Sequence, residues 1–146
     1  MPKATPKDEG MSWLNPYLVL KNPKKALLFY EKAFGFKTKY TMPDSRGKIM
    51  HAEMAYRDCM IMMGPENPKQ NFLSAKSMGG SPVGFYIYVD SVDSFFAKAK
   101  AAKARVKQKP TIQFYGHKTC TFLCPEGYLW TFAQRVADFD PSKAPA

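Results

Sequence analysis

His51 and Glu53 stand two residues apart in Met50-His-Ala-Glu-Met54, where apolar and polar residues alternate. That period-2 alternation marks a half-buried strand, with His51 and Glu53 on one face and Met50, Ala52 and Met54 on the other. A carboxylate beside an imidazole can orient the ring for general-base work. The same contact can equally serve to satisfy two half-buried polar groups. His51 and Glu53 are therefore the candidate catalytic residues, with catalysis itself left open. His117 follows Tyr115-Gly116, a turn, where it either guards the mouth of a site or is an exposed loop histidine. The three cysteines, Cys59, Cys120 and Cys124, form an odd set without Cys-x-x-Cys spacing. On a strand Cys120 and Cys124 would lie roughly 13 Å apart, too far to bridge. They read as small apolar fillers in a reducing cytoplasm, the expected location.

The elements that would position these groups occur twice. Gly47 to Met63 reads as two strands joined at Arg57-Asp58, and Gly116 to Phe132 echoes it with a turn at Glu126-Gly127. Gly47 maps to Gly116 and Met62 to Thr131 by one offset (116 − 47 = 69; 131 − 62 = 69). Identities are few, among them Tyr17/Tyr86 and Ala33/Ala102, so the repeat is one of pattern.

In chain order, residues 1–11 are Lys- and Pro-rich and read as a disordered N-terminal tail. Residues 12–20 read as a strand. Asn22-Pro23 then opens a helix, Asn as N-cap and Pro in the first turn, and Gly35 closes it in a left-handed conformation. Strands follow over 36–42, 48–56 and 59–63. Residues 65–81, with Gly79-Gly80 near the end, read as a linker that could lie over the site. The second module repeats the order: a strand over 82–89, a helix capped by Ser91, a strand over 105–111 broken by Pro110, and a hairpin over 118–123 and 128–134. Residues 137–146 read as a loose C-terminal tail. The expected fold is α+β, two tandem βαβββ modules (12–64 and 82–136) forming a concave mixed sheet with helices outside.

The totals exclude several classes. In 146 residues no apolar run approaches the ~18 residues of a membrane span, and residues 1–10 lack the apolar segment of a secretory signal. The net charge of +10 favours anionic partners. Yet the lysines are scattered and there are only four arginines, without an interleaved Arg and aromatic strip. Nucleic acid is accordingly not the expected partner.

Asn22-Pro-Lys-Lys-Ala-Leu-Leu-Phe-Tyr-Glu-Lys-Ala-Phe-Gly35 resembles the opening helix of the vicinal oxygen chelate superfamily, the fold of glyoxalase I, extradiol dioxygenases and bleomycin and fosfomycin resistance proteins. Val89-Asp-Ser-Val-Asp93 resembles its second helix start, and Cys124-Pro-Glu-Gly-Tyr-Leu-Trp-Thr-Phe132 its terminal hairpin. Gly47-Lys-Ile-Met-His-Ala-Glu53 and Tyr115-Gly116 lean toward the PhnB-like, glyoxalase-related branch. One fold hosts many chemistries, so the resemblance specifies fold more than activity.

Metalloenzymes of that superfamily hold a divalent ion at four strand positions, which the resemblance carries to Asn15, Met62, Gly84 and Thr131. These are poor donors where His nitrogen or carboxylate oxygen is wanted. The expectation is no metal site and no cofactor. Alternation from the same positions points Tyr17, Tyr86 and Tyr88 into the cavity, with Phe122 as the counterpart of Glu53. The ligand-binding set is then Asn15, Tyr17, Met62, Tyr86, Tyr88, Phe122 and Thr131. The expected function is binding of a small anionic or neutral aromatic ligand in a Tyr- and Met-rich cavity. The alternative is a glyoxalase-like lyase or isomerase using His51 and Glu53. A homodimer is implied by the resemblance alone.

Overall fold

The computed structural model describes residues 4–146. The first three residues of the expected N-terminal tail lie outside that range. The chain divides into two compact units. One runs to Ser74 without Lys32–Phe34; the other takes Lys32–Phe34 and runs from Ala75. The fold is α+β, with two tandem modules, each carrying a four-stranded mixed sheet.

In the first module, β1 (Tyr17–Leu20) leads to α1 (Pro23–Phe29). The Asn22 side chain accepts from the Lys25 N–H at 3.2 Å, the expected cap, worth about 1 kcal/mol. The helix ends in a π turn, Tyr30–Phe34, and Gly35 closes it at φ 72°, the left-handed region where glycine carries no Cβ penalty. Then come β2 (Lys37–Pro43), β3 (Ile49–Tyr56) and β4 (Cys59–Pro65). Sheet order is β1-β4-β3-β2, with β1 parallel to β4 and the other pairs antiparallel. Leu18, Leu20, Ala52, Met54 and Met63 point to the helix side and are almost fully buried. Tyr30 stacks on Phe36 there at 5.8 Å. His51, Glu53 and Met62 alternate with these and stay half-exposed.

The expected first strand is shorter than its sequence suggests. Residues 12–16 bend instead, because Asn15 ties both ends of its amide to the Ser12 backbone, Nδ2 donating at 2.7 Å and Oδ1 accepting at 3.2 Å. The expected linker holds a 3-10 turn, Pro68–Gln70, and a short helix α2 (Ala75–Met78).

The second module has β5 (Phe85–Tyr88), α3 (Val92–Ala101), β6 (Arg105–Ile112), β7 (His117–Leu123) and β8 (Leu129–Arg135). Its order is β5-β8-β7-β6, the pattern of the first. Pro110 does not break β6, because β6 is an edge strand and its register shifts there. The core is aromatic: Phe132 meets Phe95 at 4.0 Å and Phe34 at 4.8 Å, and Phe96 stacks on Phe122 at 5.6 Å. The expected C-terminal tail, 137–146, is tied at its start, where the N–H groups of Val136 and Ala137 donate to the Gly116 carbonyl, and it holds a 3-10 turn at Pro141–Lys143.

The constant offset of 69 does not survive along β7. Tyr17 pairs with Met62 and Tyr86 with Thr131, as the offset requires. But Met62 faces Glu53, whereas Thr131 faces Thr121 (121 − 53 = 68). The cause is the hairpin loop. Tyr56 and Cys59 close a two-residue turn, while Leu123 and Leu129 flank five residues, with Cys124 and Tyr128 bonded across it. A one-residue slip sends side chains to the opposite face of a sheet. Phe122 is therefore corrected: it lies on the helix side, fully buried against Phe95 and Phe96, not on the ligand face. Cys120 is buried with it, and the true counterparts of His51 and Glu53 are Thr119 and Thr121.

Candidate functional site

In the first unit the open sheet face carries a short polar chain. The Tyr17 hydroxyl lies 3.4 Å from His51 Nδ1, and His51 Nε2 lies 3.6 Å from Glu53 Oε2. The two ring nitrogens thus face a phenol and a carboxylate. The second separation is beyond a formed hydrogen bond and leaves the pair in charge contact only. Both His51 and Glu53 side chains are 19 % exposed, so the pair is sheltered yet reachable. Tyr40 and Phe72 flank it, with ring centroids 6.4 Å from His51 and 6.3 Å from Tyr17. Tyr17 can lie as it does because Gly64 has no side chain: a Cβ there would sit 2.5 Å from the Tyr17 hydroxyl.

In the second unit the contact is tighter. Tyr86 Oη is 2.7 Å from His117 Nδ1. Tyr88 and Tyr115 present their rings edge-on to the same imidazole, with centroids at 5.4 and 5.2 Å. Burial of its hydroxyl, then a hydrogen bond with Tyr115 and the nearness of the other phenols, push the Tyr86 phenol well above its usual range. The residue as a whole is 46 % exposed, so the ring face stays available while the oxygen is held in the cluster. Tyr86 therefore stays a neutral phenol at any ordinary pH. Beside it runs a side-chain ladder: Gln113 Nε2 donates to Thr119, Thr119 to Gln108, and Thr121 shares a bond with Thr131 at 2.9 Å.

Of the sequence candidates, the structure brings together Tyr17, His51, Glu53 and, in register, Met62. In the other unit it brings together Tyr86, Tyr88 and His117 on one side and Thr131 with Thr121 on the other. Asn15 is bound up in its own turn and Phe122 belongs to the core. Thr119 and Thr121 lie on the face that the slip in β7 hides, and the Thr-x-Thr alternation over 119–121 is the signal that could have shown them; Gln108 joins them from the edge strand β6, where a register shift next to it breaks the alternation. Tyr40, Phe72 and Tyr115 come from neighbouring turns and an edge strand that no period-2 pattern links to the site.

The four positions that the superfamily uses for a metal do not fit one here. Both polar atoms of Asn15 are already bonded to Ser12. Met62 offers a thioether, Gly84 nothing, and Thr131 a hydroxyl already shared with Thr121. Such donors do not make a site for a hard or borderline cation. Among the described residues no group of three or more His, Cys, Asp or Glu side chains converges.

The family profile of the Glyoxalase/Bleomycin resistance protein/Dioxygenase superfamily matches residues 12–132. The chain belongs to that superfamily. An uncharacterized protein of Mycobacterium bovis is 29 % identical over 128 residues, spanning 86 % of this chain and 84 % of the relative. Among solved structures, TioX from Micromonospora sp. ML1 aligns with a TM-score of 0.70 at 23 % identity, over 86 % of this chain and 99 % of that one. TnmS3, an antibiotic binding protein from Streptomyces sp. CB03234, aligns with a TM-score of 0.64 at 20 % identity, over 86 % and 98 %. At these identities the structural likeness speaks for the fold. No helix among the described residues is long and apolar enough to cross a membrane.

Proposed function

We propose that the protein binds a small aromatic ligand, neutral or anionic, on its tyrosine-lined sheet faces, without the metal that catalytic members of the superfamily use. The observation that carries this reading is the pair of Tyr–His contacts, Tyr17 with His51 and Tyr86 with His117. In each, a hydrogen bond fixes the phenol oxygen and leaves an aromatic ring half-exposed for stacking, a low-entropy contact surface. The half-exposed Met62 adds an adaptable thioether beside Tyr17. TnmS3, which shares the fold, is an antibiotic binding protein, a role of the same kind. The net charge of +10 disfavours a cationic ligand. A location in a reducing compartment and a homodimer belong to the same reading, the latter checked by light scattering.

Equilibrium dialysis against matched cationic, neutral and anionic aromatic compounds tests it. Binding of the neutral or anionic set, weakened in Tyr17→Phe and Tyr86→Phe, is expected. Preference for the cations would overturn the charge assignment, and no binding by any set would overturn the reading.

One observation favours a second reading, a metal-free lyase or isomerase. His51 lies between a phenol and a carboxylate, the arrangement of an oriented general base. Under that reading His51→Ala and Glu53→Gln abolish turnover of a glyoxalase-type substrate while the melting temperature stays within a few degrees. Loss of folding in both variants would make the pair structural.

A further inference from the structure

We infer that the second unit carries a separate binding cleft for a small amphiphilic carboxylate, at the hairpin end of its sheet and walled by the α2 segment. The cleft encloses about 320 Å³, near the lower end of the roughly 300–1,000 Å³ of ligand clefts. Its floor is Leu123 and Leu129, paired across β7 and β8 on the same face as Thr121 and Thr131. Leu129 is 43 % exposed, a large apolar side chain left uncovered in a concavity. The walls are Lys76, Gly79-Gly80 and Lys107.

Both lysines are placed by the backbone. The Lys76 N–H donates to the Glu126 carbonyl at 2.8 Å, and a Cβ on Gly127 would sit 2.7 Å from the Lys76 nitrogen. Gly127 has φ +90°, so only glycine gives this close approach without strain. Lys107 lies in a register shift: Val106 pairs with Phe122 and Gln108 with Thr121, which leaves Lys107 unopposed. Such an irregularity re-aims a side chain, and here it brings Lys107 to the cleft. Edge-strand lysines commonly serve only to discourage strand pairing. Lys107 differs in being one of two cations over an apolar floor.

No carboxylate lines the cleft. Among the described residues neither Lys76 nor Lys107 has an ion-pair partner. Two unpaired ammonium groups above two leucines select one negative headgroup with a hydrocarbon body. Lysine ammonium groups are compact point charges with rotatable donors, so they attract a carboxylate by charge without fixing the bidentate geometry that arginine would impose. This cleft is distinct from the tyrosine–histidine clusters, so its ligand need not be aromatic.

Octanoate, octan-1-ol and octylamine serve as probes on the intact protein, with amide NMR shifts as the readout. Octanoate is expected to move the Gly79, Gly80 and Gly127 amides and to bind more tightly than the alcohol, with the amine weakest. Lys76→Gln with Lys107→Gln is expected to weaken octanoate about five- to tenfold, the scale of one exposed charge contact per lysine, and to leave the alcohol unchanged. Near-UV circular dichroism identical to wild type shows that the fold is kept. Tyr86→Phe is expected to leave octanoate binding intact, which separates this cleft from the aromatic site. Equal affinity for octanoate and octanol, unchanged octanoate binding in the double variant, or shifts confined to residues near Tyr86 would each overturn the proposal.

Discussion

Tyr86 reaches across β8 to place its hydroxyl 2.7 Å from His117 Nδ1, although their strands are not neighbours in the sheet. A long aromatic side chain thus bridges two strands over the half-exposed threonine face of a third. Removing the hydroxyl in Tyr86→Phe should free the imidazole while keeping the ring. The expected result is a changed His117 Nδ1 nitrogen shift by NMR. A partly exposed hydrogen bond is worth about 0.5–1.5 kcal/mol, so the melting temperature should fall by only a few degrees.

Alkaline titration offers a second check. The Tyr86 phenol is held above its ordinary range by burial and by Tyr115, whereas in the unfolded chain it ionises near 10. The folded state keeps this proton longer than the unfolded state does. Stability from this group is therefore complete below about pH 10 and declines as pH rises beyond it. Absorbance at the phenolate band should show one tyrosine ionising late, and Tyr86→Phe should remove that late phase.

Gly64→Ala tests the placement of Tyr17. The new methyl would fall 2.5 Å from the Tyr17 hydroxyl and 3.2 Å from the Met50 carbonyl. The phenol, being the mobile partner, should swing away from His51. Loss of the Tyr17 to His51 through-space signal in NMR is expected, with the fold retained. Retention of that signal would show that the backbone gives way instead.

The thiols should differ sharply in reactivity. Burial, with Asp93 nearby, pushes Cys120 up to about 11, and Cys120 is fully buried. Cys59 is exposed, and its thiol is raised by partial burial and by Asp58. A thiol reagent at pH 8 should label Cys59 slowly, and Cys120 and Cys124 only after unfolding. Prompt modification of Cys120 would contradict its position beneath α3.

Core and site residues should separate by stability. Phe122→Ala removes a buried ring that touches Phe95 and Phe96, and should cost about 3–5 kcal/mol in chemical denaturation. His51→Ala and Glu53→Gln, at a half-exposed face, should each cost about 1 kcal/mol or less.

The two-module plan was legible because capping and turn chemistry are local. Asn22, Gly35 and Ser91 act where their neighbours in sequence say they should. The faces of β1, β4, β5 and β8 followed from alternation for the same reason. The face of β7 did not, because it depends on the number of residues in the loop after Leu123, and Pro125 to Gly127 does not announce that length. Asn15 departs from the expected first strand through a different cause. Its amide competes with strand pairing by bonding its own neighbour Ser12, a choice settled by local geometry rather than by hydrophobic pattern. The partners of His51 and His117 come from distant strands and turns, beyond the reach of any single periodicity.

The two histidines are not copies of each other: at the β7 offset of 68 (119 − 51 = 68), His51 corresponds to Thr119, and His117 stands two residues before it on the same face. Their separation in sequence is 66 residues (117 − 51 = 66), against 69 for the tyrosines they touch (86 − 17 = 69). Each half of the duplication has reached a phenol–imidazole contact by its own route, and only one of the two adds a carboxylate. A probe titrated against both faces should accordingly give an isotherm with two unequal constants, not one constant with a stoichiometry of two.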